Sequence, residues 1–175
     1  YVYRPPMSPI PAQASASIGG RSFDLTASVT RSAGDDGVLY ATGTQNSGVA
    51  VFVQNDRLVV DYNAFDDHTV VESSVELPVG DVTLAARFRR TGRQTGSVEI
   101  LVDGSPAGSA DIPFYMRMIS SVGASIGFDQ GSPVSTRYAA PFPFAGELHS
   151  VEIQLVSREA SGTDAARAQQ QMAQQ

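Results

Sequence analysis

The sequence lacks several residue types on which whole classes of chemistry depend. It has no cysteine, which excludes disulfides, thiol nucleophiles and cysteine-based metal sites but suits both reducing and oxidising compartments. It has no tryptophan, the usual residue of a sugar-stacking platform. All 12 basic residues are arginine, so Schiff-base and phosphate-loop lysines are absent. No apolar run approaches the roughly 18 residues of a membrane span, and we expect no membrane partner.

Length and net charge limit the number of domains and the kinds of partner that this protein can have. A chain of 175 residues has room for about one domain. The 12 basic and 18 acidic residues give a net charge of −6, and no basic run is present. Because a phosphate backbone demands a basic surface, we expect no nucleic-acid partner. The first residue is Tyr1, without a methionine or a basic-then-apolar leader, so we expect a region of a longer or processed polypeptide.

The composition divides the chain into three parts. Residues 1–20 carry four prolines and predict an extended N-terminal arm that lies against this domain or an upstream one. Residues 21–158 predict the folded domain. Residues 159–175 are rich in alanine and glutamine and predict a short C-terminal helix or a disordered tail.

Apolar residues in the central part alternate with polar or small ones, which predicts strands with one buried face. Turn residues such as Asn55-Asp56 and Asp103-Gly104 separate the strands, and no helical period interrupts them. We therefore predict an all-β fold, an antiparallel β-sandwich (jelly roll, concanavalin A-like) of about ten strands. The apolar stripes are Phe23/Leu25/Ala27/Val29, Leu58/Val60/Tyr62, Val82/Leu84/Ala86/Phe88, Val98/Ile100/Val102, Val122/Ala124/Ile126/Phe128 and Val151/Ile153/Leu155.

Ser125 lies in a G-x-S-x-G pattern, residues 123–127, and Asp129 and His149 follow in the order of a hydrolase triad. A nucleophile elbow needs a strand, a sharp turn at the serine and then a helix. The alternation runs straight through Ser125 instead, so we interpret it as a small residue on a strand.

Residues 147–152 are one substitution from the E-x-D-x-x-E strand motif of laminarinase-like glucanases, with His149 at the central position. A retaining glycosidase needs two carboxyl groups about 5–5.5 Å apart. Glu147 and His149 share a face, but Glu152 joins them only through a bulge, and the regular apolar stripe predicts none. We favour a structural strand, with glycosidase activity as the alternative.

Two other polar clusters are candidates for ion binding. The carboxylates of Asp66-Asp67-His68 and Asp35-Asp36 are hard ligands suited to Ca²⁺, although adjacent acids in turns are more often solvated. Arg87 and Arg89, followed by Arg90 and Arg93, suit an anion clamp, although charge that protects an edge strand from aggregation is the commoner explanation.

Gly127, Asp129, Gly131, Pro133 and Val134 form a G-x-D-x-G-x-P-V segment, followed by Tyr138, Pro141-Phe142 and Phe144-x-Gly146. Together with residues 98–112 and the hairpins of residues 38–63, it resembles the C-terminal region of bacterial arylsulfatases, in particular the long actinobacterial members. The resemblance covers roughly residues 20–157.

The resemblance implies an upstream α/β catalytic domain in which a formylglycine, made from a C/S-x-P-x-R motif, works with a divalent cation such as calcium. This chain contains neither form of that motif and needs no cofactor of its own. We therefore expect a non-catalytic accessory domain that packs against the catalytic domain as its partner. The alternatives are a freestanding lectin-like carbohydrate-binding module, calcium-assisted or not, and a laminarinase-like glycoside hydrolase.

The loop of residues 129–144 lacks alternation and is rich in proline and aromatic residues. Loops of this length usually bind something or pack onto a neighbour. We hypothesise that it forms the docking face, with Asp129 and Arg137 as polar anchors and Tyr138, Phe142 and Phe144 as apolar contacts. A loop that covers its own sandwich is the alternative.

Overall fold

The computed structural model describes residues 1–119 and 122–156. Its eleven strands form two antiparallel sheets packed face to face, which confirms the predicted all-β sandwich. The C-terminal helix or tail predicted for residues 159–175 lies outside the described residues. The strands are β1 (Val2–Tyr3), β2 (Phe23–Arg31), β3 (Gly37–Gly43), β4 (Gly48–Gln54), β5 (Arg57–Ala64), β6 (Asp67–Glu72), β7 (Gly80–Arg90), β8 (Gly96–Val102), β9 (Ser105–Ile112), β10 (Ala124–Ile126) and β11 (Glu147–Leu155).

One sheet has six strands in the order β1-β11-β2-β7-β8-β9, and the other has five in the order β10-β3-β4-β5-β6. The described residues contain no helix long and apolar enough to cross a membrane. The loops gather at two ends of the sandwich. We call the end formed by residues 19–22, 44–47, 65–66, 91–95 and 113–119 the upper end, and the end formed by residues 32–36, 55–56, 73–79 and 103–104 the lower end.

The six-stranded sheet follows the predicted alternation. Along β2 every second residue from Phe23 to Val29 is buried, and the residues between them are half-buried on the outer face. In the register of β2 with β7, Phe23 lies opposite Phe88, and the two rings stack at 4.4 Å. Burial of such rings is the main favourable term of this core, at roughly 25 cal/mol per Å² of apolar surface.

The five-stranded sheet departs from the prediction of one buried face. Every residue of β3 is buried, as are nearly all residues of β4 and β5. The reason is the loop of residues 129–144, which we call the strap. It covers the outer face of this sheet and encloses a second core, made of Val38, Ala41, Ala50, Phe52, Val59 and Val134 with Tyr138 and Phe142 against it.

The N-terminal arm is part of this sandwich. Val2 and Tyr3 pair with Glu152 and Val151 of β11, which makes β1 an edge strand of the six-stranded sheet. Farther along, Ile10 exchanges hydrogen bonds with Ala124 of β10, in the opposite sheet. The sequence predicted an arm that lies against this domain or an upstream one, and the structure shows it against this domain.

Candidate binding site at the upper end

Three hairpins of the sandwich have two-residue turns with positive φ at both central positions, the signature of the type I′ turn. Two of them, Asn55-Asp56 and Asp103-Gly104, use residues that tolerate this backbone. The third, between β5 and β6, is Phe65-Asp66, with φ of 51° and 72°. Phenylalanine is disfavoured at positive φ, so this turn carries a local cost that the other two avoid.

The Phe65 ring is also exposed, so it gains little from burial. Its relative exposure is 66%, and its ring centroid lies 6.1 Å from that of Phe114 in the loop after β9. Met118 in the same loop is 74% exposed. An unfavourable backbone that presents an exposed aromatic pair is better explained by binding than by folding.

The loop of residues 113–119 that carries Phe114 is fixed to the rest of the upper end. Met116 N–H donates to the Tyr62 hydroxyl at 2.8 Å, and the Tyr62 and Tyr115 rings stack at 5.4 Å. Ser47 Oγ donates to the Ile119 carbonyl at 2.6 Å, which ties the β3–β4 loop to the same segment. Burial raises the pKa of Tyr62 to about 12, so its hydroxyl stays protonated at neutral pH. The aromatic pair is therefore presented on a rigid support.

A buried asparagine holds the Phe65-Asp66 turn in place. Asn63 is fully buried, and its Oδ1 accepts the Asp66 N–H at 2.8 Å. Its Nδ2 donates to the carbonyls of Gln45, at 2.9 Å, and Val134, at 3.0 Å. One side chain thus joins the turn, the β3–β4 loop and the strap.

His68 lies beside the turn, between two carboxylates. Its Nδ1 is 2.8 Å from Asp61 Oδ1, and its Nε2 is 3.4 Å from Asp66 Oδ1. Burial alone lowers the pKa of His68, but the hydrogen bonds and negative charges of Asp61 and Asp66 outweigh it and raise the pKa above the ordinary 6.5. The Asp66 side chain is nevertheless highly exposed, so the site offers a solvent-accessible carboxylate in the same turn as Phe65.

Two groups of arginines among the described residues differ in their partners. Five carry an ion pair with a carboxylate of this domain, as Arg89 does with Asp24 at 2.7 Å and Arg87 with Glu99 at 3.8 Å. Both residues do share the outer face, but β7 is a central strand, so the interpretation of an edge strand is wrong. The five paired arginines are Arg31, Arg57, Arg87, Arg89 and Arg137.

Three arginines of the upper end have no such partner. No carboxylate among the described residues lies within ion-pair distance of Arg21, Arg93 or Arg117. Shared contacts link their backbones: the Arg90 guanidinium donates to the carbonyls of Gly20 and Arg93, and the Arg117 Cα borders Gly20. The Tyr115 hydroxyl donates to the carbonyl of Arg21, the residue after Gly20. The upper end therefore combines an aromatic pair with exposed positive charge in an acidic chain.

The residues predicted to dock a partner lie on the strap. Tyr138 packs edge-on against Phe52 with ring centroids 5.0 Å apart and stacks on Phe142 at 5.2 Å. Asp129 and Arg137 do anchor the strap, but not to each other. Asp129 Oδ2 accepts the Tyr138 hydroxyl at 2.5 Å and the Val134 N–H at 2.9 Å.

The remaining two predicted docking residues, Arg137 and Phe144, also contact this domain. Arg137 Nε donates to Gln54 Oε1 at 3.0 Å, and its guanidinium pairs with Glu72 at 3.1 Å. Phe144 is half-buried against the main core. All of these contacts lie within this domain, and a further docking role stays a prediction.

Asp129 makes the stability of the strap depend on pH. Burial raises the pKa of its carboxyl above the ordinary 3.8, and the hydrogen bonds from Tyr138 and Val134 offset this only in part. The folded state therefore holds the proton more tightly than the unfolded state. This contribution is present at low pH and is lost as pH rises from 3.8 through the folded pKa.

Asp129→Asn keeps an oxygen acceptor without a charge to desolvate. We expect the variant to be at least as stable as the natural chain at neutral pH and to lose stability less between about pH 4 and pH 7. Urea unfolding across that range measures the difference. A variant with an unchanged pH slope would contradict the assignment.

The hydrolase-like pattern does not form a triad. Ser125 lies in β10, a regular strand, and its Oγ accepts the Gln130 N–H at 3.3 Å. Asp129 is bound to Tyr138, and His149 lies in the neighbouring sheet. The observed strand is shorter than the apolar stripe that predicted it. β10 spans only Ala124–Ile126, and Gly127 follows with a φ of 84°.

The predicted regular register of β11 is wrong. A bulge lies between Leu148 and Ser150, and Glu147 and Glu152 now share the outer face, opposite Thr30 and Thr26 of β2. Those partners are four residues apart, or about 13 Å along the strand. That separation exceeds the spacing of either glycosidase mechanism.

His149, the bulged residue of β11, contacts neighbouring polar side chains. Its Nε2 lies 2.7 Å from Thr30 Oγ1, which donates to Asp81 Oδ1 at 2.5 Å. Its Nδ1 lies 3.7 Å from Glu147 Oε1. His149, at the central position of the glucanase-like motif, is thus part of a chain of hydrogen bonds on the surface.

The acidic turns of the lower end are occupied by local hydrogen bonds. Asp35 accepts the Ser32 N–H at 2.8 Å and Asp36 accepts the Asn55 N–H at 2.9 Å. Asp56 accepts the Gly34 N–H and pairs with the buried Arg31, which together lower its pKa. Within residues 1–119 and 122–156, no group of three His, Asp or Glu side chains is arranged to hold a metal ion.

Comparison with solved structures identifies the architecture. Domains LG4-5 of the mouse laminin alpha1 chain match 86% of this chain with a TM-score of 0.61 and 17% identity. The chain has a laminin G-like fold. The LG1-3 region of the laminin alpha2 chain matches 90% of it with a TM-score of 0.53 and 17% identity, and the NanB sialidase from Streptococcus pneumoniae matches 93% with 0.58 and 11%.

This chain spans 40%, 31% and 27% of those three chains, less than half the length of each. No protein-family model matches the sequence, and no curated protein matches it. At such identities the laminin G-like comparison shows the fold alone. Nothing in it supports the resemblance to arylsulfatases, so the accessory role stays a prediction.

Proposed function

We propose that this laminin G-like chain is a non-catalytic carbohydrate-binding module that binds an acidic sugar at its upper end. The observation that carries the proposal is the Phe65-Phe114 pair. Phe65 is exposed in a turn whose backbone disfavours it, and two other turns of the same type use turn-forming residues. An aromatic face suits the apolar face of a sugar ring, and it requires no tryptophan.

The polar groups around the pair indicate the character of the ligand. Arg117 lies three residues after Phe114, and Arg93 precedes Gln94, whose carbonyl accepts the Tyr115 N–H at 2.7 Å. Guanidinium groups bind carboxylate or sulfate bidentately, and those of Arg117 and Arg93 have no ion-pair partner among the described residues. Asp66 provides an acceptor for sugar hydroxyls.

The outer face of the five-stranded sheet is a poorer candidate. The strap fills it with Tyr138 and Phe142, and the residues beneath are fully buried. An aromatic stacking surface for a sugar is therefore better supported at the loops of the upper end than on this face. The accessory role within a sulfatase remains the second candidate for the half-exposed rings of the strap.

A glycan array of neutral, carboxylated and sulfated oligosaccharides tests the proposal, followed by calorimetry with the best-bound member. We expect binding to acidic members and a loss of about tenfold or more in affinity for Phe65→Gly and for Arg117→Ala. Phe65→Gly should leave the melting temperature unchanged or raise it, because glycine adopts positive φ without strain.

Two variants serve as matched controls for this experiment. Val79→Ala removes a similarly exposed apolar side chain from the lower end, and Arg87→Ala removes an arginine that is already paired with Glu99. Both should bind as the natural chain does. Absence of binding to every acidic member, or equal losses in the controls, would refute the proposed site.

A further inference from the structure

His68 faces one carboxylate with each ring nitrogen. Nδ1 meets Asp61, whose side chain is 1% exposed, and Nε2 meets Asp66 at the tip of the turn. Asp61 Oδ2 and His68 Nε2 are both buried without a hydrogen-bond partner, so Nε2 meets Asp66 as an ion pair at 3.4 Å. The ring therefore lies between an interior acid and a surface acid.

Only the protonated imidazole satisfies both neighbours. A neutral imidazole carries one N–H and one lone pair, whereas the imidazolium carries two N–H groups. In the neutral form the buried Asp61 takes the single N–H, because it has no access to water. The Nε2 lone pair then faces the Asp66 carboxylate, and the two repel each other.

Other groups near His68 do not replace this interaction. On the strap side Asp61 interacts with Tyr138, whose hydroxyl is bound to Asp129, and the neighbouring cation Arg137 is paired with Glu72. The β3–β4 loop contributes residues 44–47, none of which titrates. Among the described residues the contact of His68 with Asp66 is therefore controlled by the proton of His68 itself.

We propose that His68 is the positioning residue of the candidate site, and that its protonation holds the Phe65-Asp66 turn in the binding geometry. The proposal rests on the proposed function, since it assigns pH control to that same site. Loss of the proton releases Asp66 from His68, and the Asn63 side chain then remains as the polar contact of Asp66. Affinity for the ligand therefore falls as pH rises through the pKa of His68.

Two measurements test the proposal from about pH 6 to pH 9, where a sulfate ester keeps its charge. The first is the NMR shift of the Asp66 amide in the free protein. It should titrate in the natural chain and be constant in His68→Gln. The second is affinity for a sulfated disaccharide, which should fall about threefold to tenfold over this range in the natural chain and be constant in His68→Gln.

His149→Gln is the matched control, because His149 is the other histidine of the chain and lies on the outer face of the six-stranded sheet. In this variant the Asp66 amide shift and the affinity should change with pH as they do in the natural chain. A pH-independent Asp66 amide in the natural chain, or a titration that persists in His68→Gln, overturns the inference. If the disaccharide binds at no pH, the proposed function fails, and the amide titration still decides the role of His68.

Discussion

Replacing Phe52 by alanine is expected to lower the free energy of unfolding by about 3–5 kcal/mol and to expose Arg137 to trypsin. Phe52 is fully buried on the outer face of β4 and contacts the rings of Tyr138 and Phe142. The cavity in Phe52→Ala removes the surface against which the strap packs. Urea unfolding measures the stability, and limited trypsin digestion followed by mass spectrometry locates the cut.

Phe88→Ala is the control for this prediction. Phe88 is equally buried but lies in the main core, stacked on Phe23. Its replacement should cost a similar amount of stability without preferential cleavage after Arg137 under native conditions. Equal cleavage in both variants would show that the strap follows global unfolding and is not held separately by the second core.

The second large effect is expected for Asn63→Ala. This fully buried side chain makes three hydrogen bonds, each worth about 1 kcal/mol, and its loss leaves buried backbone groups unsatisfied. We expect a loss of about 3 kcal/mol in the free energy of unfolding, measured by urea. We also expect weaker binding of the acidic glycan, because the Asp66 N–H loses its acceptor.

Asn63→Asp separates the two consequences. A carboxylate keeps the acceptor for the Asp66 N–H but loses both N–H donors to Gln45 and Val134. Stability should therefore fall at least as much as in Asn63→Ala, because the carboxylate is buried and faces two carbonyl oxygens. Binding under conditions where the protein remains folded should be better preserved. If both variants bound as the natural chain does, the turn would not depend on Asn63.

The fold was predictable because its stabilising pattern is local. The alternation from Phe23 to Val29 and the Asp103-Gly104 turn each determine their own structure with little help from the rest of the chain. The second core could not be predicted from local pattern, because it also depends on a segment distant in sequence. Residues 49–53 are apolar without interruption, which is typical of a strand buried on both faces, but nothing in that run names the segment that covers it.

The sequence pointed to Asp66 and His68 only as ion-binding candidates, and the aromatic pair of the candidate site was missed. Phe65-Asp66 has no sequence signature of a two-residue turn, and Phe114, whose ring lies beside that of Phe65, is 49 positions away in sequence. The bulge at His149 was equally hidden, because the Val151/Ile153/Leu155 stripe is regular on either interpretation. Features set by strand pairing or by a binding role leave no local pattern to read.

The hairpin between β5 and β6 has a consequence for the variation that this domain can tolerate. Its two turn residues contribute little to the cores, and the more favourable turn sequences are already present at the other two hairpins. Exchanges at positions 65 and 66 therefore carry little thermodynamic penalty, so the proposed recognition can vary there without loss of the scaffold. An engineered series of such domains would vary at one hairpin tip with little loss of folding free energy.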